Sequence, residues 1–280
     1  MKFKVTSEFE YSVNSPSTFV FNINALKTKN QTVLEETITV DPFYQAIELN
    51  SQLSENRYLR LEIDKPINLR VTYTAVVESY IEILDMEKLE NQPFIHIEAD
   101  ILPYLFPSRY CQSDKLFRLA KDKFGKIEST YKQACAISEW IYDNVEYLSG
   151  STNSQTSAFD TVTERAGVCR DFAHLGIAFC RALSIPARYF TGYSFHLNPP
   201  DFHACFEAYI GGRWIIFDAT KLAPLNGFVK IATSRDAADA AVASIFGDVV
   251  STYVNVGCEL LDQSFIPIFH NREEKTGIAY

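Results

Sequence analysis

Apolar and polar residues alternate with a period of two at residues 33–40 and again at 69–77, where Leu69, Val71, Tyr73, Ala75 and Val77 share one face. That period puts every second side chain on the same side of a pleated strand, so it predicts sheets with one buried face. Residues 58–63 read the same way, and together these segments predict a β-sandwich-like first domain. From 78 to 107 Ile and Leu persist, but the alternation fades and Pro93, Pro103 and Pro107 interrupt regular structure. The period then lengthens. Residues 114–124 and 127–145 predict helices, the second with Ile127, Tyr131, Ala134, Ile137, Ile141 and Val145 at steps of three or four. The change places a boundary near Ser108, giving an N-terminal domain at 1–107 and a second domain at 108–280.

In the second domain, the run Phe172, Ala173, Leu175, Gly176, Ile177, Ala178, Phe179 follows Gly167 and predicts a buried helix with Cys169 in its first turn. Arg188 and Tyr189 enter a strand, and residues 191–200, with Gly192, Asn198, Pro199 and Pro200, read as a loop. Residues 204–210 form a strand that begins at His203, Gly211-Gly212 turns the chain, and 213–217 return beside it. Such a hairpin carries His203 and Asp218 to one end. Further on, 225–227 predict a turn, alanine-rich 235–245 a helix with Asp236 and Asp239 on its polar side, and 249–260 β structure. The charged tail at 265–280 is expected to end on the surface, with Phe265, Ile266 and Ile268 docked.

A chain of 280 residues, 47% hydrophobic, has ample material for a substantial core. The net charge of −9, with no long basic run, disfavours binding to a nucleic-acid backbone. The sequence offers no signal-like segment and no apolar stretch of membrane-spanning length, so no membrane partner is expected. Six dispersed cysteines in a chain this large need no disulfide scaffold, which favours reduced thiols and cytoplasmic residence. Cys135, Cys180 and Cys205 lie in apolar patterns and are expected to be structural.

The chemistry concentrates in Gly167-Val168-Cys169-Arg170-Asp171-Phe172-Ala173-His174, Asp201-Phe202-His203-Ala204 and Trp214-Ile215-Ile216-Phe217-Asp218-Ala219-Thr220. A thiol at a helix start is stabilised as thiolate, an imidazole exchanges its proton, and a carboxylate fixes the imidazole's tautomer. Taken singly, these residues are more often a small hydrophobe, a structural histidine and a turn cap. Helix, hairpin and residue order together reverse that judgement. A zinc site built from the same side chains would quench the free thiolate, so neither metal nor cofactor is expected. No compact oxygen-rich loop asks for calcium.

These segments, with Ile185-Pro186-Ala187-Arg188-Tyr189, resemble the transglutaminase-like superfamily, in particular its bacterial transglutaminase-like enzymes and candidate cysteine proteases. The resemblance covers most of the chain. It implies an α+β fold: a papain-like core of helices packed on an antiparallel sheet, preceded by an N-terminal β-rich domain. It also assigns Cys169 as nucleophile, His203 as general base and acid, and Asp218 as orienting carboxylate. Either hydrolysis of a peptide or related amide or glutamine acyl transfer to an amine can follow from one thioester. An inactive peptide-binding module is the alternative of a different class. A peptide or protein substrate is the expected partner.

An oxyanion needs donors. The backbone N–H of Cys169 is one candidate, and Trp140 or Tyr147 the second, each with helix packing as its bland role. Tyr193, Phe195 and His196 are candidate substrate contacts if the 191–200 loop walls a groove, and Arg188 is a candidate cleft residue. His174, five positions after Cys169, reads as a structural hydrogen-bonding histidine. Asp171 suits the first helical turn, and Arg170 offsets a carboxylate or faces solvent.

Overall fold

The computed structural model describes residues 1–50, 54–88, 97–269 and 275–280. The chain opens with β1 (Lys2–Val13), β2 (Ser17–Phe21), β3 (Gln31–Asp41), β4 (Ile47–Asn50), β5 (Arg57–Ile63), β6 (Ile67–Ser79) and β7 (Glu82–Asp85). A 3-10 turn at Ala99–Leu105 leads to α1 (Ser113–Phe124) and α2 (Thr130–Asn144). Then β8 (Glu146–Tyr147), α3 (Ala158–Glu164) and β9 (Ala166–Gly167) run into α4 (Cys169–Ala182). The remaining strands are β10 (Ala187–Ser194), β11 (Phe202–Ile210), β12 (Arg213–Phe217), β13 (Phe228–Ser234), β14 (Ala243–Phe246), β15 (Val249–Leu260) and β16 (Thr276–Ala279). Of the period-two readings, β3, β5 and β6 are the counterparts. Leu69, Val71, Tyr73, Ala75 and Val77 all turn inward on β6.

Two antiparallel sheets, ordered β15-β1-β6-β3 and β14-β2-β5-β4, form the N-terminal β-rich unit. A third, β12-β11-β10-β13, carries the helices. Helix α4 is buried from Asp171 to Ala182 and lies directly on this sheet, since a Cβ at Gly176 would meet the Phe206 ring at 2.5 Å. Helix α2 packs through Tyr131, Ala134, Ile137 and Ile141, the stripe its period predicts. Gly211 and Gly212, with φ of 57° and 77°, make the tight turn between β11 and β12.

Strands pair across the boundary expected between 1–107 and 108–280. Strand β15 pairs with β1, β14 with β2, and β16 with β7, so the last forty residues return to the first ninety. The alanine-rich helix expected at 235–245 is absent. Asp236 accepts hydrogen bonds from Tyr110 N–H and Ala238 N–H at 2.9 Å each, and Asn22 N–H bonds to Val242 C=O at 2.9 Å. Those tertiary partners override a helix propensity worth only tenths of a kcal/mol per residue, roughly. The tail is not free either: residues 277–279 are buried, and the Tyr280 hydroxyl donates to Leu225 C=O at 2.7 Å.

The third sheet would expose a free edge at β13, and two side-chain amides cover it. Gln31 Nε2 donates to Lys230 C=O at 2.8 Å, and Lys230 N–H donates back to Gln31 Oε1 at 2.7 Å. Asn56 repeats the arrangement on Thr233, with bonds of 2.9 and 3.0 Å. Each amide supplies one donor and one acceptor in the spacing of a neighbouring strand. All four residues are buried, so water cannot substitute. Replacing Asn56 or Gln31 with Leu is expected to lower unfolding stability by about 1–3 kcal/mol, the cost of stranding buried backbone groups. Urea melts check this, and an Asn56→Leu midpoint equal to wild type contradicts it.

Candidate active site

Cys169 is the first residue of α4, preceded by Val168 in extended conformation. Asp171 accepts the Val168 N–H at 3.0 Å, closing the helix start, as expected of a carboxylate in the first turn. The backbone N–H groups of the first helical residues have no partner within the helix and point out of its end. The parallel pair β8–β9 sets Tyr147 opposite Gly167, and Leu148 N–H bonds to Gly167 C=O at 2.9 Å. This brings the Tyr147 phenol against both the backbone N–H and the thiol of Cys169. Burial, with the adjacent Cys169, pushes that phenol up to about 12, so it keeps its proton at neutral pH.

His203 begins β11 and Asp218 follows β12, and the hairpin brings them together: His203 Nε2 lies 3.0 Å from Asp218 Oδ2. Both are almost wholly buried. Burial works against the imidazolium, but the Asp218 carboxylate outweighs it and holds the His203 pKa well above 6.5. Burial also works against the carboxylate. The charge and hydrogen bonds of His203 and Thr220 nonetheless hold Asp218 below its usual range. With Nε2 committed to Asp218, Nδ1 is left for the thiol. Nδ1 is buried without a hydrogen-bond partner among the described residues, and Cys169 is among the groups near enough to raise the ring's pKa. Phe228 stacks on the imidazole at 5.9 Å.

Cys205 was expected to be structural, and it is buried with its thiol pushed up to about 12 by burial. It nevertheless sits beside the pair: donor atoms of His203, Cys205 and Asp218 lie within 4.8 Å of one another. That set has the donors to hold a soft divalent ion. Yet both Asp218 oxygens already accept bonds, from Thr220, Ala223 and His203, and an ion there would dismantle the His203–Asp218 pair.

The other candidates separate. Trp140 packs on Phe124 and Phe179, with the Arg165 guanidinium 5.0 Å over its ring, which is its bland role. The expected 191–200 loop is shorter, because 191–194 belong to β10, with 191–193 paired on both sides by β11 and β13. Tyr193 is therefore core, its hydroxyl donating to Ile23 C=O at 2.9 Å and meeting Ser7 Oγ at 3.0 Å. Phe195 and His196 stack on each other and meet Phe265 edge-on. Arg188 is engaged by buried Glu207 and lies 4.2 Å over the Trp214 ring. His174 is structural, as its position implied: Nε2 accepts Ala237 N–H at 3.1 Å and the ring stacks on Tyr110. Arg170 bonds to Asn153 C=O at 2.7 Å and approaches Asp171. Thr220 escaped the sequence reading, and Cys205 was read only as a structural thiol. The Asp-x-Thr spacing was the available signal for Thr220, since a hydroxyl two residues on can close a turn on the carboxylate.

Residues 1–100 match the family of the bacterial transglutaminase N-terminal domain, and residues 118–219 match the transglutaminase-like superfamily. The crystal structure of a candidate cysteine protease from Cytophaga hutchinsonii is 58% identical, covers 100% of this chain and 97% of its own, and superposes with a TM-score of 0.97. The chain belongs to the transglutaminase-like superfamily. An uncharacterized protein of Mycobacterium leprae is 25% identical over 262 residues, 86% of this chain and 91% of its own. The superfamily core spans α1 only in part, then α2, α3, α4 and the strands up to Asp218, so it takes in Cys169, His203 and Asp218 together.

The two buried histidines give stability opposite slopes with pH. Burial first, then Arg170 and Arg181, depress His174 to about 3 against the pull of Asp236. An unfolded chain takes this proton near 6.5, so His174 costs stability as the pH falls from 6.5 toward 3. His203 contributes fully below 6.5 and loses its contribution as the pH rises through its folded value, whereas Asp218 contributes above 3.8 and loses it on acidification. Urea midpoints at pH 4, 5 and 6.5 are expected to fall less steeply toward acid in His174→Phe than in the wild type. Parallel slopes would contradict this.

Proposed function

We propose that this chain is a cysteine-dependent hydrolase of peptide or related amide bonds that works through a thioester on Cys169. The observation carrying this reading is the His203 imidazole, held by Asp218 through one nitrogen at 3.0 Å, with the thiol at the start of α4 among the groups near enough to raise the ring's pKa. Cys169 attacks the acyl carbon as the thiolate of a thiolate–imidazolium pair, its proton having already passed to His203. Asp218 stabilises the imidazolium that results. In the reaction the oxyanion takes the Cys169 N–H and the Tyr147 hydroxyl, which at rest lie against each other. The imidazolium then protonates the leaving amine, and His203 activates water to release the acid.

The 58% identity to a candidate cysteine protease supports hydrolysis. The superfamily match keeps glutamine acyl transfer as a second reading, with an amine in place of water on the same thioester. Mass-resolved reaction with a broad peptide mixture, with and without a primary amine, separates them. Cleaved or deamidated peptides support hydrolysis, an amine-dependent mass addition supports transfer, and association with unchanged masses supports a binding module. Cys169→Ala is expected to abolish turnover while folding is kept, and undiminished turnover overturns the assignment. Tyr147→Phe is expected to lower kcat by about 10²-fold, the usual loss for one oxyanion donor. Unchanged kcat in that variant removes Tyr147 from the mechanism.

A further inference from the structure

Asp218 offers its carboxylate to three other residues in a fixed pattern. Oδ1 accepts two bonds from Thr220, the backbone N–H at 2.9 Å and the hydroxyl at 2.7 Å. Oδ2 accepts Ala223 N–H at 3.2 Å and meets His203 Nε2 at 3.0 Å. Leu222 N–H in turn donates to Thr220 Oγ1 at 3.2 Å. A hydroxyl has one proton, and with its oxygen accepting from Leu222 and its carbon skeleton fixed by a two-residue turn, that proton is aimed at Oδ1. Oγ1 also lies 3.4 Å from His203 Nε2, so the hydroxyl flanks the ring nitrogen that the carboxylate engages.

We propose that Thr220 is a positioning residue whose hydroxyl holds the Asp218 carboxylate with Oδ2 toward His203, and so sets the reactivity of Cys169. Coulomb attraction between carboxylate and imidazolium depends weakly on direction. Proton transfer depends on it strongly, because the ring must present Nδ1 to the thiol while Nε2 stays bonded. Thr220, Asp218 and His203 are all buried, so water cannot replace a missing hydroxyl. The charged and titratable groups near the pair are Asp201, Cys205, Cys169, Tyr147 and the Lys221–Glu139 ion pair, and replacing Thr220 alters none of them. The inference rests on the reading of Cys169 and His203 as the reactive pair.

The test needs no substrate. Iodoacetamide alkylation of Cys169, followed by peptide mass mapping between pH 4 and 10, reports the thiol directly in wild type, Thr220→Val, Thr220→Ser and His203→Ala. Thr220→Val keeps the side-chain shape and is expected to slow alkylation at neutral pH by about tenfold, the scale of one hydrogen bond to a charged group. Its acid limb should move to higher pH as Asp218 loses a donor, and Thr220→Ser should restore both rate and limb. If the valine variant does not melt cooperatively, Thr220→Ala takes its place. A wild-type profile in Thr220→Val, or equal impairment in Thr220→Ser, overturns the proposal. An unchanged profile in His203→Ala overturns instead the pairing on which it rests.

Discussion

A carboxylate and an imidazole buried against each other impose the constraint on which this site depends. Removing an ion from water costs several kcal/mol, roughly, unless its partner is close and its remaining hydrogen-bonding capacity is filled. Asp218 meets that condition with bonds from Thr220, Ala223 and His203, so it stays ionised, and the field of that charge keeps His203 ready to carry a proton. The strand ends and the turn after Asp218 are arranged around this requirement. The α4 helix starts at Cys169, one of the groups near enough to raise the pKa of that ring.

The pair is only as well placed as the sheet that carries it. Strand β11 lies between β10 and β12, but β13 would be an open edge. The Gln31 and Asn56 amides close that edge from the N-terminal unit, while Tyr193 reaches from β10 to Ser7 and Ile23. Strands β14 and β15 cross back into the N-terminal sheets, so the β-rich unit and the catalytic core share backbone ladders as well as a surface.

What could be read from residues alone was local. The start of α4 follows from Gly167 and an apolar run, and the meeting of His203 with Asp218 follows from a two-glycine turn of fixed geometry. Tyr147 was one of two equal candidates, and only the β8–β9 pairing separates it from Trp140. The misreadings involve long-range partners. Alanines at 237–243 suggest a helix until Asn22 and β2 claim the backbone, and Tyr193 looks like a loop aromatic until β13 pairs beside it. Thr220 is a common turn residue whose importance depends on Asp218 being buried. Gln31 and Asn56 carry no periodic signal, because their role is set by a strand about two hundred positions away.

The central claim is that Cys169 becomes acylated. Acid quenching of the protein during turnover of a peptide mixture, followed by mass mapping of its cysteine peptides, tests it most directly. The account predicts an acyl mass on the Cys169 peptide that neutral hydroxylamine removes and that His203→Ala fails to accumulate. An acyl mass confined to another residue, or turnover with no hydroxylamine-labile adduct on Cys169 under any quench, would contradict it.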